Sequence, residues 1–142
     1  MGRTTNKLKV IIAGSREFTD KKMLFNKAGW WYGTLPNTPE IIVVSGGARG
    51  ADELGESWAE YMQFMKLQYP VTADDWDRHG KKAGILRNVE MAKIGDVLLA
   101  FWDGQSKGTK HMIDEALRRG MEVHVWQVDI KPKQKPRQVR GI

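Results

Sequence analysis

The chain has 142 residues, of which 41% are hydrophobic and 28% are charged, a composition typical of a globular protein long enough to bury a sizeable core. It has no cysteine, which excludes disulfide bonds, thiolate metal sites and cysteine nucleophiles, and no apolar run approaches the ~20 residues that cross a bilayer. The formal net charge is +6, but five basic residues and no acid fall in 131–142, so the rest of the chain holds 18 basic against 17 acidic residues.

Short apolar runs alternate with segments of helical spacing along the chain. The runs predict β-strands at 8–13, 40–45, 66–71, 96–102 and 121–126. Helices are predicted at 20–32, capped by Thr19 or Asp20, and at 51–64, 82–93 and 109–119, the last stopped by Gly120. The polar residues 72–81 are expected to form a long loop, and Pro70 is expected to place the third strand at a sheet edge.

Strand and helix alternate five times, which predicts an α/β fold in three layers, a parallel sheet of about five strands with helices on both faces. We expect a single domain over 1–130 and a basic, disordered tail over 131–142. The polar start of the chain is not that of a secretory signal, so cytoplasm is the expected compartment. Ligands of such sheets bind beyond the carboxyl ends of the strands, and the turns expected to converge there are 14–18, 45–52 and 103–109.

The stretch 41–52 is the strongest single signal. Its β-branched apolar run passes directly into a turn of small residues, and a helix begins near Ala51. Such a turn lets an anion, most often phosphate, approach the backbone and the positive end of the helix. The residues expected to contact the ligand here are Ser45, Gly46, Gly47, Arg49, Gly50 and Asp52. The alternative is a tight turn without a ligand, in which Arg49 pairs with Asp52 and Asp52 only favours the helix dipole.

The first predicted strand ends in Gly14, Ser15 and Arg16. This triplet combines a flexible backbone, a hydroxyl donor and a guanidinium that can grip phosphate through two hydrogen bonds. We therefore expect all three residues to contact the ligand. The alternative is an ordinary strand-to-helix turn in which Arg16 is solvated.

The third predicted helix carries a second basic group. Lys81, Gly84, Arg87 and Asn88 recur with helical spacing and, from Gly84 onward, share one face of the helix. We expect that face to close the site, with Arg87 and Asn88 directed inward. The alternative is an amphipathic helix whose basic side is exposed.

The turn after the fourth strand is rich in hydroxyl and small residues. Asp103, Ser106, Gly108 and Thr109 are expected to hold a sugar or a phosphate, with Asp103 accepting hydrogen bonds from ribose hydroxyls or from Arg87. The alternative is that Ser106 is a plain helix cap. Trp76 and Trp102 are expected at the edge of the site as stacking residues, whereas the tryptophans on predicted helices are assigned to packing.

No metal site is predicted, because His79, His111 and His124 are scattered and none has a partner at ligand spacing. No cofactor is implied, and no Ser-His-Asp set can be argued from this sequence.

Together, several motifs resemble the YspA-related branch of the SLOG superfamily. They are Gly-Ser-Arg at 14–16, Val-Ser-Gly-Gly-Ala-Arg-Gly-Ala-Asp at 44–52, Asp-Trp at 75–76, the spaced residues of 80–91, and Phe-Trp-Asp-Gly-x-Ser-x-Gly-Thr at 101–109. The resemblance covers the chain to about Gln127. It implies a Rossmann-like fold that binds nucleotides or nucleotide-derived ligands such as ADP-ribose, in bacteria and phages.

Two better-understood relatives point in different directions. The LOG phosphoribohydrolases are similar at Arg87 and at Gly108-Thr109, but their catalytic acid follows that pair within a few residues, where this chain has Lys110 to Met112. This departure disfavours hydrolysis by the LOG mechanism. The DNA-processing protein DprA, which binds single-stranded DNA, is similar at 45–52.

The resulting hypothesis is a protein that binds a nucleotide or a nucleotide-derived ligand of the ADP-ribose, NAD or nucleoside phosphate type, as a sensor or binding protein. One alternative is N-glycosidic hydrolysis of a nucleotide with Asp103, Asp114 or Glu115 as the carboxylate. The other is binding of single-stranded nucleic acid, aided by the basic tail. No membrane partner is expected, and a homo-oligomer is left open.

Overall fold

The computed structural model describes residues 7–130, and the predicted tail at 131–142 lies outside that range. The strands are β1 (Lys7–Gly14), β2 (Glu40–Ser45), β3 (Met65–Gln68), β4 (Val97–Trp102) and β5 (Glu122–Gln127). The helices are α1 (Lys21–Gly33), α2 (Ala51–Met62), α3 (Ala73–His79), α4 (Lys82–Ile94) and α5 (Lys107–Arg118). None of the helices within this range is long and apolar enough to cross a membrane.

All five strands are parallel and lie in the order β3-β2-β1-β4-β5. The chain builds the sheet in one direction from β1 to β3, then returns to place β4 beside β1, where Gly14 pairs with Phe101. The strand order therefore reverses between β1 and β4, and a crevice opens beyond their carboxyl ends. The predicted α/β fold, with a five-stranded parallel Rossmann-like sheet, is confirmed.

Two apolar clusters cover the two faces of the sheet. On one face Val10 and Ile12 pack with the buried Trp31 of α1 and Trp58 of α2. On the other face Ile11 packs with residues of α4 and α5, including Met91 and Met112. The central strands read as continuous apolar runs because helices cover both sides of the sheet.

The expected long loop at 72–81 is wrong, since it contains α3. Thr72 caps that helix, and a reciprocal pair of hydrogen bonds joins Thr72 and Asp75. No residue of α3 is buried, so the segment lacks the apolar periodicity by which helices are recognised. Ile85, an apolar residue on the next helix, is also exposed.

The other local signals agree with the structure. Asp20 caps α1 by accepting a hydrogen bond from the Met23 amide at 3.0 Å. Gly120 follows α5 with a φ of 76°, a conformation that glycine adopts without strain. The third strand is at the sheet edge, as expected, but it ends at Gln68 and not at residue 71, because Pro70 has no amide hydrogen with which to continue the strand.

Candidate functional site

A cavity of about 380 Å³ lies at the carboxyl ends of β1 and β4. It brings together the turns after β1 and β4, the start of α2, and one face of α4. The residues proposed from the sequence that line it are Gly14, Ser15, Arg16, Asp52, Gly84, Arg87, Asn88, Asp103, Ser106, Gly108 and Thr109. Ala13, Glu17, Ala48, Met91 and Met112 complete the wall.

A smaller pocket of about 140 Å³ adjoins this cavity, and we call it the side pocket. Its walls share four residues with the main cavity: Arg16, Ala48, Gly84 and Arg87. The remaining lining residues are Gly46, Gly47, Pro70, Val71 and Trp76. Three more of the residues proposed from the sequence, Gly46, Gly47 and Trp76, therefore lie in the side pocket.

Five proposed contact residues line neither space. Ser45 is buried and donates its hydroxyl to Glu56 Oε2 at 2.6 Å. Arg49 forms an ion pair with Glu17 at 2.8 Å, rather than with Asp52.

The other three occupy structural or exposed positions. Trp102 donates its indole N–H to the Ser106 carbonyl at 3.0 Å and so braces the turn before α5, whereas Lys81 is an exposed residue at the start of α4. Gly50 has a φ of 84°, and a Cβ at this position would come within 2.5 Å of the Ser15 and Arg16 carbonyl oxygens.

Three amides of the segment between β2 and α2 have acceptors within the protein. The Ala48 amide donates to Asp52 Oδ2 at 3.2 Å, the Ala51 amide donates to the Ser15 carbonyl at 3.3 Å, and the Gly47 amide donates to the Ser45 hydroxyl at 3.0 Å. Two acids, one of them Asp52, already lie in the first turn of α2. The positive end of this helix is thus complemented from within the chain.

The start of α5 also lacks a side-chain cap, since the Ser106 side chain at the N-cap position caps no amide, but it differs from α2 in having no acid in its first turn. The amides of Gly108 and Thr109 donate to no other residue in 7–130, and both residues line the main cavity. Donors left open at a helix start, together with the helix dipole, attract an anion.

Arg87 stands between the two spaces. Its Nη1 donates to the Gly46 carbonyl at 2.7 Å and to the Tyr69 carbonyl at 3.4 Å, and its Nε donates to Asn88 Oδ1 at 3.1 Å. A Cβ at residue 46 would collide with the guanidinium, which explains the glycine there. Burial lowers the pKa of Arg87, although arginine remains charged in proteins.

Asn88 connects this arginine to α5. Its Nδ2 donates to the Gly108 carbonyl at 3.2 Å and lies 3.2 Å from His111 Nδ1. The side chain is buried, and its amide group can satisfy a donor and an acceptor at once. Asn88 therefore fixes the first turn of α5 relative to the Arg87 guanidinium.

Two carboxyl groups of the cavity differ in their titration. Asp52 is only 5% exposed, and desolvation raises its pKa from 3.8 to about 6, against the opposing effects of the Ala48 amide and the charges of Arg87 and Arg16. For Asp103, burial acts to raise the pKa, but hydrogen bonds from the Ser106 and Gln105 amides outweigh it and the pKa is lowered. The cavity thus holds one carboxyl poised near neutral pH and one that is firmly ionised.

The acids considered for hydrolysis are dispersed. Asp114 pairs with Lys110 at 2.8 Å on α5, and Glu115 accepts hydrogen bonds from Arg118 and Arg119. Neither lines the main cavity, whereas Asp103 does. Asp103 accepts hydrogen bonds from backbone amides instead of from Arg87.

Sequence reasoning missed Glu17, which lines the cavity immediately after Arg16. The signal was its position in the turn after the first strand, a turn already expected at the site. Among residues 7–130, no group of three or more histidine, aspartate or glutamate side chains has an arrangement that would hold a metal ion.

Comparison with known proteins gives a consistent family assignment. The family model described as "YspA, cpYpsA-related SLOG family" matches residues 8–79, which span β1 to α3. "Gene 61 protein" of Mycobacterium phage D29 is 41% identical over 121 residues, covering 81% of this chain and 93% of the phage protein. No solved structure matches the chain.

Proposed function

The chain belongs to the YspA, cpYpsA-related SLOG family, and we propose that it binds a nucleotide or nucleotide-derived ligand at the carboxyl edge of its sheet. ADP-ribose, NAD and nucleoside phosphates are the ligand types in question, and the protein acts as a sensor or binding protein. The observation that carries the proposal is the main cavity, in which uncapped amides of α5 and two arginines line the same space at the reversal of strand order.

The phosphate of the ligand is assigned to the start of α5. The Gly108 and Thr109 amides supply donors there, and Arg16 lines the cavity with a guanidinium that forms no hydrogen bond or ion pair with another residue in 7–130. Arg87 adds a second positive charge held in place by two backbone carbonyls. Charge-assisted hydrogen bonds of this kind contribute about 1.5–3 kcal/mol each.

The sequence suggests that the turn between β2 and α2 binds phosphate, but this proposal gives it a supporting role. Because Asp52 and Ser15 accept from the Ala48 and Ala51 amides and two acids lie in the first turn of α2, this turn supports the site by positioning backbone and a carboxyl rather than by holding phosphate. Asp103, held by two amides, keeps lone pairs for the hydroxyls of a sugar.

Calorimetric titration with ADP-ribose, NAD and AMP tests the proposal, supported by thermal unfolding. A ligand at 100 times its dissociation constant adds about 2.7 kcal/mol to the free energy of unfolding. Arg16→Ala is expected to weaken binding about tenfold or more, since it removes a charge-assisted contact. Arg118→Ala is the matched control, because this arginine lies in the last turn of α5, outside both spaces. Absence of binding by all three ligands, or equal affinities for the two variants, contradicts the proposal.

A second candidate function is N-glycosidic hydrolysis, and Asp52 is the observation that favours it. A buried carboxyl with a pKa of about 6 in the main cavity is suited to proton transfer near neutral pH. Release of free base from a panel of nucleotides, abolished in Asp52→Asn, supports hydrolysis. Binding without any release of base leaves the protein as a binding protein.

A further inference from the structure

We propose that the side pocket holds the base of the ligand against the indole of Trp76, and that the ligand spans both spaces with its diphosphate passing from Arg16 and Arg87 to the start of α5. The inference rests on the proposed function and specifies its ligand. The class it defines is a nucleoside diphosphate esterified to a second polar group, rather than a nucleoside monophosphate.

Trp76 is the first observation. Its side chain is 43% exposed and lines the side pocket, and its ring stacks on no other ring and on no cation within residues 7–130. Trp31 and Trp58 are buried in the core, and Trp30 packs edge-on against Trp126. An aromatic face left open in a cleft is a platform on which a planar base can stack.

The helix that carries Trp76 has no role in the core. No residue of α3 is buried, yet the helix is fixed at its start by the Thr72–Asp75 capping box, and at its end the Gly80 amide donates to the Trp76 carbonyl at 2.8 Å. Core packing therefore does not explain the position of Trp76. We attribute that position to a role of the indole in the side pocket, which it lines.

Both spaces combine polar and apolar walls. The main cavity has carboxyl and hydroxyl groups beside Met91 and Met112. The side pocket has the indole, Pro70 and Val71 on its apolar side, and the two arginines with the backbone of Gly46 and Gly47 on its polar side. A nucleobase, which stacks through its face and forms hydrogen bonds at its edge, fits such a mixed pocket.

The boundary between the spaces determines the middle of the ligand. Arg16 and Arg87 line both spaces, so a molecule that occupies both must pass two guanidinium groups. Arg87 is held by the carbonyls of Gly46 and Tyr69, which keeps its charge at this boundary. The charges of Arg16 and Arg87 disfavour each other and are offset by the single carboxyl of Asp52, which leaves this boundary suited to an anionic linker such as a diphosphate.

The test compares ADP-ribose with ribose 5-phosphate, which has the sugar and phosphate but no base. Calorimetric titrations are made with wild type, Trp76→Ala, Trp76→Phe and the control Trp30→Ala, which removes an exposed indole elsewhere. Stacking on an aromatic ring contributes about 1–3 kcal/mol, or roughly 5- to 150-fold in affinity. We expect Trp76→Ala to lose that factor for ADP-ribose and nothing for ribose 5-phosphate. Trp76→Phe is expected to recover most of the loss, and Trp30→Ala to match wild type.

Each outcome bears on a separate statement. ADP-ribose binding that is weakened by Arg16→Ala but untouched by Trp76→Ala overturns the base assignment and leaves the proposed function standing. Equal losses for both ligands in Trp76→Ala, measured on protein with a wild-type unfolding midpoint, also overturn it, because the effect is then not specific to the base. An AMP affinity equal to that of ADP-ribose overturns the diphosphate class. If wild type binds none of these ligands, the proposed function and this inference fail together.

Discussion

Replacing Asp52 with asparagine tests the electrostatics of the main cavity without reference to any ligand. The carboxyl has an ordinary pKa of 3.8 in the unfolded chain and a pKa of about 6 in the folded protein, chiefly because burial disfavours the charged form. At 1.36 kcal/mol per pKa unit, ionising Asp52 costs the folded state about 3 kcal/mol. Asparagine is uncharged at every pH and can still accept the hydrogen bond from the Ala48 amide.

The pH range of this effect follows from the direction of the shift. Between about pH 4 and pH 6 the folded protein binds more protons at Asp52 than the unfolded chain does, so this residue makes stability fall as pH rises. The penalty is absent below the unfolded pKa and complete above the folded one. We therefore expect the stability of Asp52→Asn relative to wild type to increase by about 2 kcal/mol between pH 4.5 and pH 7.5.

Urea unfolding followed by tryptophan fluorescence at several pH values measures this difference. Glu53→Gln is the matched control, since it removes a negative charge from the same helical turn at an exposed position. A difference between Asp52→Asn and wild type that stays constant from pH 4.5 to pH 7.5 would refute the reasoning. A difference that decreases as pH rises would refute it as well, because the folded pKa would then be lowered.

Three further predictions, two at glycines and one at a helix cap, can be measured by urea unfolding in the same way. Gly50→Ala is expected to destabilise the protein by roughly 3 kcal/mol or more, because φ is 84° and the new Cβ would crowd the Ser15 carbonyl oxygen; a loss below 1 kcal/mol contradicts the geometry. Gly29→Ala, where the added Cβ meets nothing within 4 Å in a helix interior, is expected to stabilise by about 0.8–1.0 kcal/mol, and a destabilised variant would show that the site is crowded. Asp20→Ala is expected to cost about 1 kcal/mol through loss of the cap on the Met23 amide, and no change would mean that the cap is replaced by water.

Prediction from sequence was most successful where the signal is local. The apolar run at 41–44 and the helix start at Ala51 are visible in consecutive residues, and β2 and α2 begin where the sequence places them. Helix α3 was not predicted because none of its residues is buried, so it lacks the apolar periodicity by which a helix is normally recognised. Its capping box was the one local signal for it. The exposed Ile85 shows the converse, since an apolar residue at helical spacing need not face the core.

The candidate site could be predicted in outline. The reversal of strand order makes the turns after β1 and β4 neighbours, and residues from both turns line one cavity. The ion pairs between residues of different turns could not be predicted from the sequence. From the sequence, Arg49 could pair with Asp52, three residues away, but in the fold it pairs with Glu17, which is 32 residues away in sequence. Such partners depend on how two turns are docked, which no single segment encodes.

The sequence by itself determined the fold class, the order of the five strands and of the four helices other than α3, and the edge of the sheet at which the main cavity lies. These properties depend on the periodicity of apolar residues and on the order of strands and helices, both of which can be read from consecutive residues. Only the tertiary structure decided how the amides of the two turns are used. The Ala48 and Ala51 amides beside α2 donate to Asp52 and to the Ser15 carbonyl, whereas Gly108 and Thr109 at α5 line the main cavity and their amides have no acceptor within residues 7–130. The difference arises in part because the carbonyl that accepts from Ala51 belongs to the turn after β1, which only the fold brings beside α2.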